Sequence, residues 1–580
     1  QRLVNHFMDL VGELLVARPP QMDIMNGTCG IDFGTKSTVV ACRNQEERLL
    51  RVGKGDYTKA PALADYENPT VIELRDVAAF AAVYRERDGR PYTEWEQVTV
   101  SHQAAEAIFQ NDDDSSVYYA VFSELKQWAN DKDRRLMLRD RKGKLLEVKP
   151  YLELVAGDFD PIELYAYYLG LYINNMYNGI YLDYILSFPV NYEKNVREKL
   201  RQSFERGLRK TLPPAILHDA AVMERFRVYA GASEPVAYAI SALQEFHLEP
   251  KQAGELVYYA VFDFGGGTTD FDFGTEEVPA NHRRKFVIHQ FGNGGDPYLG
   301  GENILDSLAY EVFKDNIEVM RVKRITFALP PQSSPLAGAE TLVYEGRNAS
   351  QQAYMNRKRL AKLLRPIWER QEGYEKLFSN GSSAIHLFAA EAQEGSDTQE
   401  VQLKVDVKKL EAYIEQRIKR GVENFFVALL HAFKGKFKEK EACRIHIFLA
   451  GNSCKSPVVK QLFDAAISEK EKEIEKEVRK AQGQEKDASG CFILHLPMGQ
   501  QAEQEMAGTT VEYDRLRTGK TGVAFGLLRS RIGGKDVQII NSNVDQNDEV
   551  LFPYFLGDLD ETGKFQVKIG LKIPYGAWAF

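Results

Sequence analysis

Two stretches of this chain follow one plan, and that repeat limits the folds open to it. Ile31-Asp32-Phe33-Gly34-Thr35-Lys36-Ser37-Thr38 and Phe262-Asp263-Phe264-Gly265-Gly266-Gly267-Thr268-Thr269 each read as a buried strand ending in Asp, a Gly/Thr turn and a second strand. They open two halves of similar size, so one chain can face both hairpins across a cleft. Glycine permits the dihedrals and the close approach that let backbone N–H groups and hydroxyls converge on an anion. An Asp at the mouth of each hairpin repels phosphate but can hold Mg²⁺, usually through water, and so hold a polyphosphate. Two hairpins around one triphosphate form the clamp that phosphoryl transfer needs. A lone D-F-G-T would read as an ordinary β-turn; the paired recurrence does not.

The rest of the chain narrows the class. At 580 residues it exceeds one compact core and predicts three to four packing units. Apolar residues at 44% and charged residues at 27% exclude wholesale disorder. A net charge of −9 argues against a nucleic-acid or membrane-surface partner, which calls for a basic face. Cys29, Cys42, Cys443, Cys454 and Cys491 include no C-x-x-C pair, so neither a disulfide framework nor a structural zinc site is expected. Their sparseness predicts a reducing, cytoplasmic setting. No run of 18 apolar residues is present; Leu164 to Phe188 reads as a soluble helix followed by a strand.

Periodicity predicts helices at 3–15, 121–129, 161–177, 193–209, 233–247, 303–320, 407–434 and 466–486. It predicts strands at 184–188, 225–230, 256–264 and 445–450, and a polar, irregular region over 43–115. The expected divisions are an N-terminal helix at 1–22 that ends a preceding region, a first lobe at 23–247, a second at 248–532, and a linker-like, β-rich segment at 533–580. A start at Gln1 and a stop at Phe580 within a strand-like pattern predict a fragment of a longer protein.

Other phosphate-binding signatures fail. Gly519-Lys520-Thr521 imitates the end of a Walker A loop, but Asp514 stands at its first glycine position. G-x-G-x-x-G, the protein-kinase motifs, H-E-x-x-H and G-x-S-x-G are missing.

The segments GIDFGTKST, VFDFGGGTTDFDFG and IFLAGNSCKSPVVKQLF together resemble the two phosphate motifs and the adenosine motif of the heat-shock protein 70 ATPase domain. That domain belongs to the actin and hexokinase superfamily. ILSFPVNYEKNVREKL, SEPVAYAI, GNGGDPYLGGENILD and TGVAFGLL resemble further family segments in the same order, so the likeness spans about residues 28–530. It implies an α/β, two-lobed, actin-like fold built on a duplicated ribonuclease-H-like unit, with a short C-terminal β-rich extension.

The resemblance also implies roles. Asp32 and Asp263 would be Mg²⁺-shell carboxylates. Gly34, Thr35 and Lys36 would line the first phosphate loop, and Gly265, Gly266, Gly267 and Thr268 the second. Lys126 matches a lysine that reaches the γ-phosphate and the attacking water; a solvated helix lysine is the plain alternative. Glu234 matches a carboxylate that orients water, against the alternative of a helix N-terminal charge. Thr268 and Asp270 would serve the same water, and Arg197 would couple domains or be an exposed helix charge. Gly300, Gly301 and Glu302 would lie near the ribose, and Gly451, Asn452, Ser453 and Lys455 would hold adenosine.

Departures from the family pattern matter. Asn452 stands for a glycine and Lys455 for an arginine that stacks on adenine; lysine stacks less well, which bears on nucleotide affinity or base preference. Lys36 adds a charge at the first loop. The adenine helix of the second lobe is faint, near Glu372, Lys376 and Ser379, and insertions are expected at roughly 43–115, 321–360 and 466–515. Gly534 to Ile540 resembles the interdomain linker, interrupted by Gln538. The 40 residues after Ile540 are too few for the family's peptide-binding sandwich and lid.

The resemblance therefore implies an ATP-binding, ATP-hydrolysing conformational switch using ATP/ADP and Mg²⁺. Its partner would be a protein or client polypeptide, with exchange-factor or J-domain-like co-chaperones. The competing readings are a low-turnover nucleotide-sensing scaffold that gates assembly, and a small-molecule kinase of the same superfamily.

Overall fold

A computed structural model describes residues 18–541, except 55, 57, 111–114, 177–178, 191, 281–282, 391–397, 435–443, 483–489 and 501–511, together with strands at 556–559 and 565–569. The helix expected at 3–15 lies outside the described residues, as do Phe552, Trp578 and Phe580 of the tail.

The chain is mixed α/β, built around two large sheets. The first contains β1 (Thr28–Phe33), β2 (Ser37–Arg43), β3 (Glu47–Leu49), β4 (Asp183–Phe188) and β5 (Arg227–Ser233), in the order β5-β4-β1-β2-β3. A two-residue strand, Asn68–Pro69, also pairs with β2. The second contains β6 (Leu256–Phe264), β7 (Thr269–Glu277), β8 (Phe286–Asp296), β9 (Ile445–Ala450), β10 (Phe492–His495) and β11 (Val537–Asn541), in the order β10-β9-β6-β7-β8-β11. In each sheet the hairpin is antiparallel, and its first strand pairs in parallel with a strand from much later in the chain: Ile31 opposite Leu186, Phe262 opposite Leu449. The repeat seen in the sequence is thus a repeat of sheet topology.

Burial on both faces explains the near-continuous apolar strands. Val40 and Cys42 of β2 face one core, with α2 (Pro161–Met176) and α3 (Lys194–Lys210). Val39 and Ala41 face the other way, against Ala524, Phe525 and Leu528. In β6, Tyr258, Ala260, Phe262 and Phe264 join a large core, while Tyr259 and Val261 face Val236, Ala237 and Ile240. The large core is closed by α5 (Gly301–Asp315), α6 (Gln351–Trp368) and α7 (Val407–Phe433). In α7, Leu410, Ile414, Ile418, Val422 and Phe425 recur at three- and four-residue steps, giving one apolar stripe.

Two helices cross between the sheets. The first, α4 (Glu234–Glu245), follows β5 yet packs on β6. The last, α9 (Gly522–Arg529), follows the second sheet's core strands yet packs on β1 and β2. The two helices touch backbone to backbone at Gly526, where a Cβ would lie 1.8 Å from the Ala237 carbonyl oxygen. Each sheet is therefore covered by a helix belonging to the other half of the chain.

Several boundaries differ from the expectation. The irregular 43–115 region contains short strands, Ile72–Leu74 and Val98–Val100, and helices Val77–Glu86 and Ser101–Gln110; three-residue strands are too short to show a period. The 121–129 helix splits into a strand, Val121–Phe122, and α1 (Leu125–Asn130). The 303–320 helix breaks at Asn316, whose side chain donates to the Val312 and Lys404 carbonyls. The charged helix, α8, begins earlier than expected and covers Pro457–Gln482. Its first turns pack Val459 and Phe463 into the large core.

Cys29 and Cys42 are cross-strand partners joined by a disulfide. The scattered cysteines excluded a framework but not one bridge within a hairpin, so they do not argue for a reducing compartment. Among the described residues no helix is long and apolar enough to cross a membrane.

Candidate functional site

The two hairpins meet. Were Gly266 given a Cβ, it would lie 3.2 Å from Lys36 Cγ, and one on Gly267 would lie 3.1 Å from Thr35 Oγ1. Around this contact lies a cavity of about 610 Å³, within the range of small-molecule sites.

The second turn is held from behind. The Gly265 carbonyl accepts from Gly301 N–H at 3.1 Å and from Ser453 Oγ at 3.1 Å. The Gly266 carbonyl accepts from Glu302 N–H at 2.8 Å, and the Gly267 carbonyl from Asn303 Nδ2 at 2.6 Å. In a trans peptide the C=O and the following N–H point in opposite directions. The N–H groups of Gly266, Gly267 and Thr268 are therefore turned away from α5, toward the cavity those residues line. Three consecutive donors aimed one way make an anion-binding nest. In the first turn, Thr70 takes the Gly34 and Lys36 carbonyls at 2.8 Å each, which turns the Thr35 N–H outward in the same manner.

Between the turns stands a set of buried charges. Lys126 Nζ, from α1, donates to Glu234 Oε1, at the start of α4, at 2.6 Å. Burial pulls the Lys126 pKa down, but Glu234 and Asp32 outweigh it and hold the ammonium above its ordinary value. Burial also pushes Glu234 up, with Lys126 opposing. Thr268 Oγ1 donates to Asp270 Oδ2 at 2.9 Å. Burial, then the nearby Glu234 charge, raises the Asp270 carboxyl to about 7.

The two mouth carboxylates are unequal. Asp32 accepts from Lys520 Nζ at 2.8 Å and from Ser187 Oγ at 3.0 Å. Asp263 faces Gly451 and, among the described residues, no cation is bonded to it; burial, then Glu234 and Asp270, pushes its pKa well up, with the Lys520 charge opposing. As a holder for Mg²⁺, the expected pair thus offers one carboxylate already taken by an ammonium and one open. Among the described residues no group of three His, Cys, Asp or Glu side chains is arranged to hold a metal ion. A single carboxylate completed by phosphate oxygens and water is nonetheless a donor set Mg²⁺ accepts.

The remaining expected residues fall around this centre. Gly451, Asn452, Ser453 and Lys455 line the cavity, with Gly451 at φ +80°, where a Cβ would lie 2.3 Å from the Phe264 carbonyl oxygen. Asn452 Nδ2 reaches Glu67 Oε2 at 2.8 Å, linking the turn to the first half of the chain. Gly301 and Glu302 line the cavity; Gly300 lies beneath the second turn, packed against Gly266 and Gly267. Lys36, expected on phosphate, bonds Glu302 Oε2 at 2.9 Å across the cleft. Burial pushes Glu302 up, but Lys36 and Arg365 overcome it and hold this carboxyl below its usual value.

Lining or supporting residues that were not anticipated include Ser187, Arg365, Trp368 and Lys520. The α6 helix begins inside the insertion expected at 321–360 and runs past it, supplying Arg365 and Trp368 beyond its end, and Glu372, Lys376 and Ser379 do not line the cavity. Lys520 carried a visible signal, the Gly519-Lys520-Thr521 run, which fits no complete Walker motif.

A second cavity, about 470 Å³, lies against the linker-like segment. Arg197, Arg531, Val537, Gln538 and Ile539 line it, so Arg197 and this segment share one site. The segment forms β11, added in parallel to β8 with Ile288 opposite Ile539.

No protein-family model matches the chain, and its sequence matches no curated protein.

Proposed function

We propose that this chain binds ATP between two actin-like lobes, hydrolyses it slowly, and uses their closure as a chaperone-like conformational switch. The observation that carries the reading is the pair of Gly/Thr turns touching across one cavity, with the Lys126–Glu234 pair buried between them. The equal strand order of the two sheets and the exchange of α4 and α9 support the two-lobed architecture.

In this reading the outward N–H groups of Thr35, Gly266, Gly267 and Thr268 hold the phosphates. Asp263 is the carboxylate open to Mg²⁺, which when bound would neutralise phosphate charge. Lys126 lies where an ammonium meets charge developing on the transferred phosphoryl group, and Glu234 fixes its position. Asp270, behind the second turn and bonded by Thr268, would be the proton acceptor for an attacking water. The turn at Gly451 to Lys455 and the α6 face at Trp368 bound the adenosine side. Closure would be read through β11, whose leading Asp536 bonds Arg43 Nη1 of β2 at 2.8 Å. The partner is a protein or client polypeptide, with exchange-factor or J-domain-like co-chaperones acting on the switch.

One observation favours a second reading, a nucleotide-sensing scaffold with little turnover: both buried lysines are already engaged by carboxylates. Titration calorimetry with ATP and multiple-turnover hydrolysis separate the two. The switch predicts ATP binding with sustained turnover. Binding with at most one turnover selects the scaffold, and absence of binding at millimolar ATP sinks both.

A further inference from the structure

Lys520 lies far from Asp32 in the chain but against it in space. It follows Gly519, whose carbonyl accepts from Gly451 N–H at 3.0 Å and whose N–H donates to the Met498 carbonyl at 2.9 Å. Thr518 and Thr521 lock the next residues: Thr518 N–H donates to Thr521 Oγ1 at 2.8 Å, and Thr521 Oγ1 donates to the Leu516 carbonyl at 2.7 Å. This braced backbone sends the Lys520 side chain into the cavity, where it is 18% exposed and bonds an Asp32 that is 2% exposed. The first turn makes room for it. A Cβ on Gly34 would lie 2.6 Å from Lys520 Nζ, so only glycine at that position lets the ammonium sit there.

A carboxylate at the mouth of a phosphate site repels the ligand unless a cation stands between them. Among the described residues no cation is bonded to Asp263, so there a bound metal would supply it. At Asp32 the chain supplies it, through an ammonium with three donors of which one is spent on Oδ2, on a side chain that lines the cavity. Resting on the nucleotide reading above, we propose that Lys520 is a built-in cation that replaces a divalent metal at the first hairpin, so that nucleotide binding here survives removal of Mg²⁺. The bond also joins the end of the second half of the chain to the first sheet, so the ammonium that meets phosphate is also one of the ties between the two halves.

The test is titration calorimetry of ATP into the whole chain, in Mg²⁺ and in EDTA, for wild type and for Lys520→Met. Wild type is expected to bind in EDTA with affinity within about tenfold of that in Mg²⁺, a difference of about 1.4 kcal/mol or less. Lys520→Met is expected to lose EDTA binding by at least about 100-fold while keeping more of its binding in Mg²⁺, because metal then does the work the lysine did. Because the variant leaves Asp32 unpaired, Asp32→Asn with Lys520→Met serves as the folded control and is expected to show the same metal dependence. Wild-type binding that requires Mg²⁺ overturns the proposal, as does a Lys520→Met loss equal in Mg²⁺ and EDTA. No binding under any condition strikes the nucleotide reading itself.

Discussion

The two sheets share one strand order and one hairpin, yet their hairpin carboxylates live in opposite electrostatic states. Asp32 is bonded to Lys520 and Ser187, whereas Asp263 is bonded to no described cation and is pushed up by burial, Glu234 and Asp270, with Lys520 opposing through its charge alone. Duplicated backbone therefore does not mean duplicated chemistry. The strands place both carboxylates at matching positions, and side chains from elsewhere in the chain decide whether each one is neutralised. A second asymmetry is the added strand β11, which extends the second sheet and is tied to the first by Arg43 and Asp536.

The largest expected effect breaks the comparison at the carboxylates. Asp32→Asn strands a buried ammonium and should destabilise the chain by about 3 kcal/mol in urea denaturation. Asp263→Asn removes a carboxylate that burial disfavours, so it should leave stability unchanged or raised. Equal losses at the two positions would mean that the hairpins are electrostatically alike after all. Next, Lys126→Ala should lower ATP turnover about 100-fold while changing ATP affinity by less than about tenfold, as removal of a transition-state contact does. Parallel losses in both would reduce Lys126 to a ground-state contact, and circular dichroism would confirm that the variant folds.

A smaller effect concerns pH. In β7, burial raises Asp270 and Asp272 to about 7 and Glu276 to about 8. The folded values lie above the unfolded ones, about 4, so the folded chain keeps protons the unfolded chain releases. The stability they contribute is fully present below about pH 4 and is lost as pH rises through 7 to 8. Among the described residues neither Glu276 carboxylate oxygen has a hydrogen-bond partner, so Glu276→Gln should flatten part of the fall in melting temperature between pH 5 and 9. An unchanged slope would assign the pH dependence elsewhere. The smallest effect is at the added strand. Asp536→Ala removes a partly exposed ion pair and should cost about 0.5 kcal/mol, with faster amide exchange over Val537 to Asn541. If exchange there is unaltered, the Arg43 contact does not secure β11.

How much of this was legible varies with length and distance. Strands such as Ile445–Ala450 and helices such as Val407–Phe433 could be read directly, because burial imposes a period over many residues. The three-residue strands before Ser101 could not, and the first half of α6 fell in what read as an insertion, while nothing local marks its last turn as one that lines a cavity. At the site, the expected loop, lysine and carboxylate residues line the cavity except Gly300 and Asp270, which stand behind the second turn, whereas the expected adenine-helix residues Glu372, Lys376 and Ser379 do not line it. Glycines and mouth carboxylates are legible because turn geometry and anion contact restrict residue type at a fixed spacing.

The sequence by itself determined the hairpins, their duplication and the residue types around a phosphate-sized anion. These depend on φ/ψ freedom and on alternation along a few residues. Only the tertiary structure decided which carboxylate is neutralised, since Lys520 reaches Asp32 across 488 positions and a buried charge takes its state from whatever packs beside it.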